Sequence, residues 1–197
     1  MSYADRVTAA APRLPTYADL CALPPNVVGQ IVAGELHAHP RPRLRHARAA
    51  SDLGASLVGP FDRGRGGPGG WIILDEPEVH LDADVLVPDL AGWRRSRMPE
   101  LPDAAFVELA PDWVCEVLSP SSERLDRGAK LRVYARERVG HVWLVNPDNE
   151  TLEVFVLDEH EGHEARFALA AVHSGDAVVH APPFEALPLE LSGLWAR

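Results

Sequence analysis

The chain has 197 residues, 46% of them hydrophobic and 24% charged, so it can build a core and is not a disordered tail. Its 19 Lys and Arg against 29 Asp and Glu leave a net charge of −10. That excludes the basic balance of a general nucleic-acid coat protein, so any nucleic-acid contact must come from a local basic patch and a metal ion. Two cysteines, Cys21 and Cys115, are too few for a disulfide framework or a zinc ribbon, and both read as buried reduced thiols. No apolar run approaches the ~20 residues of a membrane span, and the N-terminus lacks a signal layout. A soluble, cytoplasmic protein with no membrane contact is expected.

Residues 1–15 are rich in Ala and Pro and are expected to be loosely held, with 16–197 forming a single domain. Thr16 can cap a short helix in which Asp19 stands at the third position and Tyr17, Leu20 and Cys21 share a face. Pro24 and Pro25 end it. Val27 to His39 reads as a hairpin turning near Gly34. Residues 44–58 form a second helix, with His46, Ala50, Leu53 and Leu57 on one stripe. The glycine-rich run 63–70 is a loop.

Trp71 to Leu74 and Val79 to Leu90 read as strands. Along the second, Val79, Leu81, Ala83, Val85, Val87 and Asp89 share a parity, which would put Asp89 on an apolar side, with Pro88 able to shift that parity. Trp113 to Leu118 is apolar on both faces, Trp113, Cys115 and Val117 on one and Val114 and Leu118 on the other. This marks a central strand covered on both sides, and Glu116 is its only charge. Ser119 to Ser122 breaks the strand, and a helix follows from about Glu123 to Val139, packing through Leu131, Tyr134, Ala135 and Arg138. His141 to Asn146 is a further apolar strand, and Asp148-Asn149 turns it into Thr151 to Leu157. Short strands with Pro-rich loops fill Arg166 to Leu194. The fold class is α/β (α+β): a mixed central sheet flanked by helices.

Two carboxylates on core strands carry the chemistry. An ionised carboxylate in an apolar setting must be paired, protonated or bound to a metal. If the strands ending at Asp89 and holding Glu116 are neighbours, the two converge at one end of the sheet. Mg²⁺ sites commonly use one or two carboxylates plus waters and phosphate oxygens, and such an ion activates water for phosphodiester cleavage. The plainer readings are a turn-forming Asp89 and a Glu116 in an ordinary ion pair. Lys130 supplies a compact ammonium that can hold a water or offset phosphate charge. Its plainer reading is an i,i+4 pair with Asp126.

Several runs together resemble a known family. These are Gly34-Glu35-Leu36; His46; Val87-Pro88-Asp89-Leu90; Ala110 through Ser122; Asp126-Arg127-Gly128-Ala129-Lys130 with Tyr134; and Val142-Trp143-Leu144-Val145-Asn146-Pro147. Over roughly 16–160 the chain is similar to the Uma family of putative restriction endonucleases, within the PD-(D/E)XK nuclease superfamily. The resemblance implies a restriction-endonuclease-like core that uses Mg²⁺ (or Mn²⁺) to cut DNA. Asp89 and Glu116 would hold the metal. The superfamily's lysine normally stands two residues after the acid, where this chain has Leu118, so Lys130 would be its migrated counterpart. Asp89, Glu116 and Lys130 are thus the implied catalytic set. Glu35 would be an accessory ligand, Asp126 an accessory acid and Tyr134 mainly packing. Asn146 stands where the family commonly has Asp.

The acidic run Asp158 to Glu164 reads as a solvated hairpin tip and His46 as a structural helix residue. Arg41, Arg43, Arg45 and Arg48, with Arg94, Arg95 and Arg97, form the best patches for phosphate contacts. Two functions stand: a metal-dependent DNA endonuclease, or a nuclease fold that no longer cuts and serves in binding or assembly. Because cutting a duplex is simplest with two related sites, a homodimer is the natural assembly.

Overall fold

The structure is a computed structural model that describes residues 13–159 and 164–195. The expectation for residues 1–15 therefore lies almost wholly outside the described residues, as does most of the hairpin tip between Asp158 and Glu164.

Helix α1 (Tyr17–Cys21) starts as expected, with the Thr16 amide donating to Asp19 Oδ2 at 2.7 Å. It buries no residue, and Cys21 is exposed rather than buried. Strands β1 (Val27–Val32) and β2 (Glu35–Pro40) form the hairpin. Its two-residue turn, Ala33-Gly34, has φ of 52° and 78°. That geometry demands a left-handed pair, which Gly34 supplies without strain. Helix α2 (Leu44–Leu57) follows, buries Ala49, Leu53 and Leu57 and runs into a π-helical turn at Val58–Asp62.

Val79 to Leu90 is not one strand. After β3 (Trp71–Asp75) it divides into β4 (Val79–Leu81), β5 (Asp84–Leu86) and the start of β6 (Leu90–Arg94). Asp82, at φ 58°, turns β4 back onto β5. Asp84 is buried there, accepting from the Ala33 amide and the Arg136 guanidinium. Pro88, which has no amide proton, falls in the break before β6. The alternation running from Val79 therefore does not reach Asp89, and its side must be read from β6 instead.

Strand β7 (Trp113–Val117) precedes a helical run over 123–136, made of α3 (Glu123–Leu125), a π-helical turn at Asp126–Lys130 and α4 (Leu131–Arg136). The run ends before Val139 because Arg138 takes a left-handed φ of 58°. Arg138 is exposed, while Tyr134 and Ala135 are buried. Strands β8 (His141–Asn146) and β9 (Thr151–Asp158) make the second expected hairpin, whose turn Asn146 Oδ1 caps by accepting from the Asp148 and Asn149 amides. The C-terminal part has one long strand, β10 (Arg166–Ser174), then the short pair β11 (Val178–Val179) and β12 (Leu189–Glu190).

The main sheet has the order β10-β9-β8-β7-β6-β3. Only β7 and β8 run parallel, joined by the helical run; the other neighbours are antiparallel. The β1–β2 and β4–β5 hairpins form a second sheet, β2-β1-β5-β4. The expectation of β7 as a central strand holds. Trp113, Cys115 and Val117 face a core with α2 and the C-terminal segment, while Val114 and Leu118 face a core with Val133 and Tyr134. The rings of Trp113 and Trp143 meet edge-on at 5.3 Å. Gly92 lets β6 pass beneath the Trp113 and Trp71 rings, since a Cβ there would lie 3.2 Å from Trp113 and 3.3 Å from Trp71.

Candidate functional site

Register places the acids. Strand β6 pairs antiparallel with β7 at Leu90↔Cys115. One step further sets Asp89 opposite Glu116, the convergence anticipated for neighbouring strands. Asp89 is fixed by the backbone of that partner strand, because the Val117 amide donates to its Oδ2 at 2.7 Å. Its Oδ1 lies 3.2 Å from His46 Nε2, which comes from α2 on the opposite face of the sheet.

Glu116 lies under the helical run and is 2% exposed. Lys130 Nζ donates to its Oε2 at 2.9 Å, and the Tyr134 hydroxyl donates to its Oε1 at 2.5 Å. Lys130 also lies 3.1 Å from Asp126 Oδ1, so its Asp126 pair and its reach to Glu116 coexist. Asp126, Lys130 and Tyr134, spaced four apart, share one face of the helical run, and Lys130 and Tyr134 reach Glu116 from it. Lys130 is the chain's only lysine, and it is spent on a buried pair of carboxylates.

The charges strain against one another. Burial pushes Glu116 up to about 8, with Asp126 and Asp89 adding to the rise and Lys130 and the Tyr134 hydroxyl opposing it. Burial works against the Lys130 ammonium, but Glu116 and Asp126 outweigh it and hold its pKa above the ordinary lysine range. Burial also lifts the Tyr134 hydroxyl well above the tyrosine range, reinforced by Glu116. His46 is lowered by burial but raised overall by its bond to Asp89.

A cavity of about 300 Å³ opens over these groups, and Asp89, Glu116, Asp126, Lys130 and His46 all line it. His46 Nδ1 is buried without a hydrogen-bond partner, and Asp126 Oδ1 has only its ion pair with Lys130. The carboxylate oxygens of Asp89 and Glu116, beside the under-satisfied Asp126, are donors of the hard type that Mg²⁺ or Mn²⁺ takes. Among the described residues no three His, Cys, Asp or Glu side chains are grouped closely enough to hold an ion alone. The donor set fits an ion that completes its shell with water and phosphate oxygens.

The structure brings together Asp89, Glu116, Asp126 and Lys130, with Tyr134 holding Glu116 from behind. Glu35 is not among them. It lies on a neighbouring cleft, 3.8 Å from His37, because the hairpin turn directs it away. His46, read from sequence as a structural residue, is the member that was missed. Its place near the start of α2 and its stripe with Leu53 and Leu57 were visible, but its contact with Asp89 depends on helix docking. Gln30 and His39 also line the cavity. The proposed arginine patches divide: Arg41 and Arg43 line the cavity, whereas Arg48, Arg95 and Arg97 pair with Asp52, Asp62 and Asp112. Arg45 lies 3.8 Å from Asp148, and Arg94 stacks over Trp71.

Comparison with known proteins agrees with this core. The model of the Uma2 family, described as "Putative restriction endonuclease", matches residues 14–192. Among solved structures, a putative nuclease belonging to DUF820 from Anabaena variabilis superposes with a TM-score of 0.69 at 22% identity, over 92% of this chain and 98% of that one. At that identity the likeness speaks for the fold. A search among curated proteins found no match. No helix among the described residues is long and apolar enough to cross a membrane.

Proposed function

The chain belongs to the Uma2 family, and from that premise we propose that it is a divalent-cation-dependent endonuclease hydrolysing phosphodiester bonds in DNA. The observation that carries this reading is the meeting of three side chains from separate segments at one cavity: Asp89 before β6, Glu116 in β7 and Lys130 in the helical run. Asp89 and Glu116 would hold Mg²⁺ or Mn²⁺, which when bound lowers the pKa of water and offsets phosphate charge. Lys130 presents an ammonium whose three protons can reach the Glu116 carboxylate, Asp126 and a water at the cavity floor. Tyr134 keeps Glu116 aimed at the cavity, and His46 orients Asp89. Arg41 and Arg43 at the rim supply positive charge for phosphate oxygens in an otherwise acidic molecule.

Cleavage of plasmid and of circular single-stranded DNA in Mg²⁺ or Mn²⁺ tests the reading, comparing the native chain with Asp89→Ala. The variant is expected to lose cleavage, and robust cleavage surviving the substitution overturns the assignment. A second reading is a nuclease fold that binds without cutting. It is favoured by one feature: both Glu116 oxygens are already taken, by Lys130 and Tyr134. A gel-shift series over salt read beside cleavage in Mg²⁺ separates the two, since a binding module binds and never cuts.

A further inference from the structure

We propose that a single DNA strand, rather than an intact duplex, is led to the cavity along a trench between β2 and the helical run 123–136, with Arg124 and Arg132 gripping its phosphates. The inference rests on the proposed nuclease site and names the form of substrate it takes.

The trench is continuous. A cleft of about 710 Å³ is lined by His37, His39, Ser121, Arg124, Gly128 and Arg132, among others. It shares His39 and Ser121 with the cavity of the candidate site, so the two adjoin. At its far end it shares Ala33, Gly128 and Ala129 with a second cleft of about 720 Å³. The floor at that junction is made of small residues, and a Cβ built on Gly128 would meet nothing within 4 Å.

Partner accounting and position together mark its arginines: Arg63, Arg65 and Arg94 also lack a carboxylate partner among the described residues, but none of them lines the cavity or the cleft. Most described arginines are held by carboxylates, as Arg127 is by Glu153 and Arg136 by Asp84. Arg41, Arg43, Arg124 and Arg132 are exposed and have no such partner among the described residues, and all four line the cavity or the adjoining cleft. Unpaired guanidiniums present their donor forks to whatever anion arrives, and a phosphate backbone matches them. Arg124, Gly128 and Arg132 are spaced four apart along one run, so the two charges flank the open floor. The cleft has one acid in its lining, Glu35, and His37 stands 3.8 Å from it.

The depth of the reactive groups argues for one strand. Glu116, Asp126 and Lys130 are each 2% exposed, at the bottom of a cavity of about 300 Å³. A strand freed from its complement can enter such an opening, whereas a duplex presents only its outer backbone. Single-strand sites combine a positive groove with flat π surfaces on which bases stack. Here the His37 and His39 rings lie parallel within 2°, 6.4 Å apart, on the trench wall.

Fluorescence anisotropy in EDTA tests this, with the full chain and a labelled oligonucleotide offered single-stranded or as its duplex. The single strand is expected to bind about tenfold more tightly, and the doubly substituted Arg124→Gln, Arg132→Gln chain to bind it about tenfold more weakly. The salt dependence of log K should also flatten by about 1.4, at about 0.7 for each lost phosphate contact. The doubly substituted Arg63→Gln, Arg65→Gln chain, altered in the glycine-rich loop, should bind as the native chain does. Duplex binding as tight as single-strand binding overturns the proposal, as does an unchanged affinity in the Arg124, Arg132 variant. Tight arginine-dependent single-strand binding without any cleavage in Mg²⁺ would strike the nuclease reading alone. Cleavage that ignores both arginines would strike this inference alone.

Discussion

Replacing Lys130 by Met removes the one cation from a buried acidic cluster while keeping the length of its stem. The ammonium lies 2.9 Å from Glu116 and 3.1 Å from Asp126, with all three side chains at most 3% exposed. At an effective dielectric of about 20, each contact is worth about 5–6 kcal/mol of attraction before desolvation is subtracted. Breaking one side of a buried pair typically costs about 3–5 kcal/mol, because the abandoned charge stays buried. Here the cost depends on pH, since Glu116 can shed its charge by taking a proton, with its pKa already held up to about 8. Urea unfolding of Lys130→Met should therefore show a loss of about 3–5 kcal/mol at pH 8.5 and a clearly smaller one at pH 5.5. A loss under about 1 kcal/mol, the range of an exposed ion pair, would refute the reasoning. So would a larger loss that is the same at both pH values.

The same raised Glu116 predicts how the metal-free native chain responds to pH. The folded state holds this proton up to about 8, while the unfolded chain releases it near the ordinary glutamate value. The contribution is fully present below about pH 4.3 and falls as pH rises toward 8. Thermal unfolding in EDTA should show that fall, Glu116→Gln should flatten it, and an unflattened profile would place the titration elsewhere. His46→Ala leaves Asp89 Oδ1 without its partner at 3.2 Å. Mn²⁺ affinity should drop by about 10–100-fold, as when an orienting partner of a metal ligand is lost, with little change in Tm. An unchanged affinity would make His46 a packing residue only.

Much of this site was readable before any coordinates because burial restricts what a charge can do. Glu116 in an otherwise apolar strand had to be neutralised, and the helix after it was recognisable, whereas its partner strand, Leu90–Arg94, lies beyond the strand read to end at Leu90. The two-sided apolar pattern of β7 located the sheet centre for the same reason. What failed were inferences that crossed a break in the backbone. The alternation from Val79 was carried through Asp82 and Pro88, though the first turns the chain back and the second interrupts it. The π-helical turn at Asp126–Lys130 has no clear mark in composition. Glu35 falls outside the cavity and His46 reaches Asp89 because their positions depend on how a hairpin and a helix dock. That is long-range geometry which local spacing does not encode.

Calorimetric titration of Mn²⁺ into the native chain, Asp89→Asn and Glu116→Gln tests the shared role of the two acids most directly. The native chain should bind at a site that each single substitution weakens by at least about tenfold, as expected when an ion has few protein ligands. Binding that survives undiminished in both variants would contradict a common metal site, and with it the hydrolytic role proposed for the cavity.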